Sequence, residues 1–127
     1  MKKIIFRVLS LSSLILLSSC GSSNNQFELI GNADVSDGTM IYVLQADQNN
    51  QPYIKDSTSV QSNSFKFKGI SSTPQISYIQ VQGVNGYVLA ILENGDIKAD
   101  IYKDSISKSK VYGTKSNDDF IKYKSET

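Results

Sequence analysis

The sequence predicts an all-β domain, an antiparallel β-sandwich or small open barrel of about eight short strands, between an N-terminal signal helix and a short C-terminal helical tail. Three observations carry that prediction. From residue 20 onward Val, Ile, Thr, Tyr and Phe number 34, whereas Leu, Ala and Met number nine. β-Branched and aromatic side chains suit a pleated, half-buried surface, and strong helix formers are scarce. Apolar residues recur at every second position, the period that places side chains on one face of a strand. Turn residues punctuate the chain at the spacing expected of short strands in a sandwich or barrel.

Each element follows from these signals in chain order. Phe27/Leu29 mark a strand near 26–32, and Asp37-Gly38 turns the chain into Ile41/Val43 of 40–46. Gln48 to Pro52 precede a strand near 52–60, and Gln61 to Ser64 lead into Phe65/Phe67 of 64–70. Ser71 to Pro74 open onto Ile79/Val81 of 75–83, and Asn85-Gly86 onto 86–93. Asn94-Gly95 precede Ile97/Ala99/Ile101 of 96–102, and a last short strand falls near 109–113. Asn-Gly accepts the positive φ that hairpin turns require. Two hairpins are therefore expected, Gln75–Gln82 with Tyr87–Leu92 and Tyr87–Leu92 with Asp96–Tyr102. Tyr87–Leu92 is apolar throughout, which predicts a central strand covered on both faces. Lys66, Lys68, Lys98 and Lys103 are expected to face solvent. Ser116 to Asp119 could cap a helix over Phe120 to Thr127, with acids in its favourable first turn.

The first twenty residues obey different rules. Lys2, Lys3 and Arg7 form a positive front, Val8 to Leu17 is an apolar run interrupted only by serines, and Ser18 and Ser19 are small. That order is the signature of a secretory signal peptide, and the run is about half the 20 residues a spanning helix needs. Leu17-Ser18-Ser19-Cys20 resembles the bacterial lipobox, in which a diacylglyceryl group is joined to the Cys sulfur and the signal is cut before the Cys. The resemblance makes Cys20 the lipid-attachment residue and Leu17, Ser18 and Ser19 the flank of the cleavage site. The expected organisation is signal peptide 1–19, anchor and flexible spacer 20–25, β-domain 26–115 and polar tail 116–127, where a helix starts. The anchor would tether the chain to a membrane without spanning it.

Composition excludes several classes of function. Without residues 1–19 the chain keeps ten lysines and no arginine against twelve acids, so no basic excess exists to bind nucleic acid or anionic lipid. One cysteine rules out a disulfide framework and a multi-Cys metal site, and the chain has no histidine, the commonest general base. No metal or cofactor is expected. Ser105/Lys108 and Ser107/Lys110 each fit Ser-x-x-Lys, yet that chemistry needs a helix start in a cleft, and the segment reads as a solvated loop. Asp34, Asp37, Asp47 and Asp56 are spread over separate turns, not gathered as a calcium loop would require. Tyr42, Tyr78, Tyr87, Tyr102 and Tyr112 fall in the expected strands, where a core or rim role is the default.

Phe27 to Gly31, Asp37-Gly38 before Ile41 to Leu44, Ile54 to Thr58 and Phe65 to Gly69 follow one order, completed by Pro74, Leu92 to Gly95 and Val111 to Thr114. This pattern resembles the domain of unknown function numbered 4369, found in lipoproteins of Bacteroidota ahead of a thioredoxin-like or peroxiredoxin-type domain. The resemblance implies a cell-envelope lipoprotein, with a thioredoxin-like protein as partner. The redox pair of such proteins lies in the downstream domain, so no catalytic residue carries over to this chain. The expectation is a lipid-anchored, non-enzymatic interaction module at the periplasmic face of the outer membrane, with a truncated or accessory module of a thiol-disulfide oxidoreductase as the alternative.

Overall fold

Alternation decides which side of each strand faces inward, and the inward residues assemble the core. The structure, a computed structural model, describes residues 25–126. Its strands are β1 (Gln26–Ala33), β2 (Met40–Ala46), β3 (Pro52–Ser59), β4 (Ser64–Ile70), β5 (Gln75–Val81), β6 (Val88–Leu92), β7 (Gly95–Ile101) and β8 (Lys110–Tyr112), followed by helix α1 (Lys115–Ser125). They form two four-stranded sheets, the first ordered β4-β1-β7-β8 and the second β3-β2-β5-β6. Every alternating pair named from the sequence is buried between them: Phe27 and Leu29, Ile41 and Val43, Phe65 and Phe67, Ile79 and Val81, and Ile97 with Ala99 and Ile101. The expected signal helix lies outside the described residues.

Two glycines tighten the first sheet. Gly31 lies opposite Phe65, and Gly69 opposite Phe27, across the β1–β4 pair. Each ring covers its glycine, so a Cβ built at Gly69 would come within 2.7 Å of the Phe27 ring, and one at Gly31 would overlap the Phe65 ring. An aromatic ring over a strand glycine restores the apolar contact that the missing side chain forfeits. Phe65 and Phe67 then meet edge to face, with centroids 6.0 Å apart.

Three expectations are corrected. The second hairpin does not form: β6 pairs only with β5, whereas β7 runs in the other sheet, parallel to β1. Asn94-Gly95 is a corner that switches sheets, with Gly95 at φ 123°. The turn chemistry is the same for a corner as for a hairpin, and only the sheet that receives the next strand differs. Second, β6 is an edge strand, not a central one. Its inner residues Val88, Ala90 and Leu92 enter the core, and Leu89 and Ile91 on its other face are half-buried. Third, the terminal helix spans Lys115–Ser125, not Phe120 to Thr127, and it is packed against β8 and β6.

The reason for the early start of α1 is polar. Asn117, in its first turn, is 2% exposed. Its Oδ1 accepts the Ile91 N–H at 2.9 Å, and its side-chain amide donates to Ile91 O at 2.8 Å and to Thr114 Oγ1 at 2.8 Å. The side chain thus acts as a one-residue strand for the free edge of β6, where unpaired backbone groups would be costly. The opposite edge is blunted by other means. β3 begins at Pro52 and carries an extra residue, Lys55, where the register with β2 shifts between Val43 and Leu44.

Candidate functional site

Strand alternation fixes the outer faces as firmly as the core. On the first sheet, Glu28 lies between Lys68 of β4 and Asp96 of β7, and Ile30 between Lys66 and Lys98. Lys66 and Lys68 approach the Glu28 carboxylate at 3.6 and 3.7 Å. Asn32 donates to Asp100 at 2.8 Å, and the negative charge of Asp100 pushes the Tyr112 hydroxyl pKa up. This face is charged and solvated.

The second sheet presents the opposite surface. Ile54 of β3, Leu44 of β2, Tyr78 of β5 and Leu89 of β6 lie in one row across all four strands. Ile76 and Ile91 form the neighbouring row, and Pro52 lies opposite Ala46. Tyr87 meets Tyr78 edge to face with centroids 6.2 Å apart. Ile54, Ile76, Tyr78 and Tyr87 are exposed to 58, 60, 39 and 57%. Leu44, Ala46, Pro52, Tyr78 and Tyr87 line a shallow groove of about 340 Å³, with Gln45 and Asn50 at its end. Among the described residues, none that points outward from the strands of this sheet carries a charge. Contiguous exposed apolar patches are uncommon on monomeric soluble proteins, which singles this face out as the candidate interaction surface.

One end of the sandwich is sealed by polar contacts. Gln45 accepts from the Tyr53 hydroxyl at 3.2 Å and donates to Ser77 Oγ at 2.9 Å. Beside it, the chain enters β1 through Asn25, whose carbonyl accepts the Ser71 N–H at 2.6 Å. Glu93, at the sheet-switching corner, caps α1 from outside: its carboxylate accepts the Ser116 N–H at 2.8 Å and the Ser116 hydroxyl at 2.7 Å. Partial burial pushes the Glu93 pKa up, but hydrogen bonds from Thr114, Ser116 and the Asn117 backbone outweigh it and hold the carboxyl below the usual range.

The residues singled out from sequence fall in several places. Leu17, Ser18, Ser19 and Cys20 lie outside the described residues. Ser105, Ser107, Lys108 and Lys110 are exposed, around a single 3₁₀ turn at Ile106–Lys108 between β7 and β8, as a solvated loop requires. Asp37 and Asp47 serve turns, Asp37 accepting the Ser62 N–H and Asp47 those of Asn49 and Gln51, whereas Asp56 lies not in a turn but within β3, beside its extra residue, and accepts the Ser57 N–H. Among the described residues, no three His, Cys, Asp or Glu are grouped as a metal ion would need. No described helix is long and apolar enough to cross a membrane. None of these tyrosines is in the core; Tyr42 and Tyr112 are half-buried, whereas Tyr78, Tyr87 and Tyr102 are exposed, Tyr78 in the middle of the second sheet's outer face. The outward row on the second sheet went unread in the sequence, although Ile76 and Tyr78 alternate with Ser77 and Ile79 and so belong to the solvent side.

Two sheets around one apolar core, closed by a clasped helix and showing one charged and one uncharged face, define a small β-sandwich module. The chain belongs to the family of the domain of unknown function DUF4369, whose model matches residues 18–120 and so covers all eight strands and the start of α1. No curated protein and no solved structure matches it.

Proposed function

We propose that this chain is a lipid-anchored module of the cell envelope that acts by binding and not by catalysis. The observation that carries the binding role is the uncharged outer face of the second sheet, with its exposed Tyr78–Tyr87 pair and flanking isoleucines. Such a face gains from being covered, since burying apolar surface contributes about 25 cal/mol per Å². Four carboxylates are engaged in holding the backbone: Asp37 and Asp47 in turns, Asp56 within β3, and Glu93 at the start of α1. The anchor rests on Leu17-Ser18-Ser19-Cys20 after the apolar run. One short linker then joins lipid to sandwich, because β1 begins at Gln26.

Fractionation with Cys20→Ser tests the anchor. The native chain is expected in the membrane fraction and in the detergent phase of a cloud-point partition, and the variant in the aqueous phase. Equal partitioning of both would contradict anchoring through Cys20. Binding without catalysis is tested by screening generic esters and peptides: turnover lost on changing a single Ser would overturn it.

A further inference from the structure

The uncharged face lies within reach of the anchor. β1 starts in the first sheet, at the end of the sandwich where the chain enters through Asn25, and Ile76 and Ile54 lie toward that same end of the second sheet. Residues 20–25 can span at most about 20 Å when extended, and packed sheets lie about 10 Å apart. The tether is therefore long enough for the domain to lie flat with its second sheet against the surface that holds the anchor. It is too short to carry the domain far from that surface.

We propose that the outer face of the second sheet docks on the lipid bilayer, with Tyr78, Tyr87, Ile54 and Ile76 at the boundary between headgroups and acyl chains. This rests on the lipid-anchor reading and assigns an occupant to its binding face. The chemistry favours a bilayer in two ways. Tyrosine has an apolar ring and a hydroxyl that stays wet, the combination found at membrane interfaces. The outward strand positions of this sheet hold no charge that would be dehydrated on insertion, and Lys124 of α1 borders the face only beside Tyr87 and Leu89, whereas the first sheet's outer face carries Glu28, Lys66, Lys68, Asp96 and Lys98. The acidic balance after residue 19 gives no net attraction to anionic lipid, so docking is apolar and insensitive to salt. Tethering supplies the rest, since a short linker holds the face at high effective concentration beside the surface. The consequence is a fixed orientation, with the charged sheet turned to the aqueous side.

The chain has no tryptophan and one cysteine, which makes the orientation directly measurable. Tyr78→Trp puts a single reporter on the uncharged face, and Lys98→Trp puts one on the charged face. All strands and the helix lie within Gln26–Ser125, so the chain from Cys20 onward keeps every element. It is coupled through Cys20 to a maleimide lipid in phosphatidylethanolamine–phosphatidylglycerol vesicles, with or without brominated acyl chains. This replaces biological acylation, whose success or failure is read separately from the intact mass of the native chain. Bromolipid is expected to quench the position-78 reporter at least about threefold more than the position-98 reporter, at low and high salt alike. Equal quenching of the two, or an unquenched and solvent-exposed reporter at 78, overturns the proposal. A reporter at 78 that is shielded but unquenched, with lipid-free protein dimeric by light scattering, also overturns it and assigns the face to a second copy. If Tyr78→Trp fails to fold, Ile54→Trp reads the same face from the neighbouring end of the row.

Discussion

At mid-sheet the first sheet sets Glu28 between Lys68 and Asp96, and the second sets Leu44 between Ile54 and Tyr78. Both sheets contribute alternating apolar residues to one core, yet their outer positions follow opposite rules. The inner face is dictated by folding, because any polar residue there would lose its water. The outer face is free to vary, so its composition reports what lies against it. A charged outer face asks for nothing beyond solvent. The uncharged face bears two exposed tyrosines and two exposed isoleucines, and it is to this face that the proposed docking assigns a cover.

The sheets differ at their edges as well, and those differences carry the largest expected effects. Asn117→Ala removes the three hydrogen bonds that close the β6 edge and leaves the Ile91 N–H and C=O without their partner. A loss of about 2–4 kcal/mol in urea unfolding is expected, from one to three per unsatisfied buried group. A change below about 0.5 kcal/mol, the size of an ordinary surface substitution, would mean that the clasp does not hold the second sheet's edge. On the first sheet, Gly31→Ala forces a methyl group into the Phe65 ring, and overpacking of this kind costs about 1–3 kcal/mol. Adding Phe65→Leu should recover part of the loss, because the two positions share one space. Strictly additive losses would show that the ring does not depend on the glycine.

Glu93→Gln sharpens the comparison at the corner where the chain passes from one sheet to the other. It weakens the cap of α1 and is expected to cost about 1 kcal/mol. The pH dependence has a definite sign. The Glu93 carboxyl titrates below its ordinary value of 4.5 in the folded chain, so its contribution is fully present above that pH and is lost as pH falls through the depressed value. Native protein should lose more stability than Glu93→Gln below about pH 4.5, and parallel curves would remove Glu93 from the account. The smallest expected effect on folding is at the uncharged face itself. Tyr78→Ser and Ile76→Ser should change stability by less than about 0.5 kcal/mol, as exposed side chains do. The same changes should lower the binding of an apolar dye to the lipid-free protein. Lys98→Ser on the charged face should leave dye binding as it is.

Much of the core was legible in the sequence, because period-two alternation is a local signal and every pair it marked is buried. Topology was less so. Asn94-Gly95 announces a change of direction, and nothing local says whether the next strand joins the same sheet or the other. The run Tyr87–Leu92 puts Val88, Ala90 and Leu92 in the core and leaves Leu89 and Ile91 half-buried and Tyr87 exposed, and it lies at an edge, where α1 and Asn117 supply partners that a neighbouring strand would otherwise provide. Asn117 itself reads as a capping residue within a polar segment. Its burial depends on Ile91, 26 residues away in sequence. The uncharged face was hidden for a related reason: its residues come from four separate strands, and their alignment is a property of register, not of any one segment.

The central claim, that the sulfur of Cys20 carries the membrane anchor beneath this face, is tested most directly by the intact mass of the chain extracted from membranes. The mass expected is that of residues 20–127 plus a diacylglyceryl group in thioether linkage to the Cys20 sulfur, with or without a third acyl chain on the freed amine. An unmodified thiol at Cys20, or a chain still beginning at Met1, would contradict it.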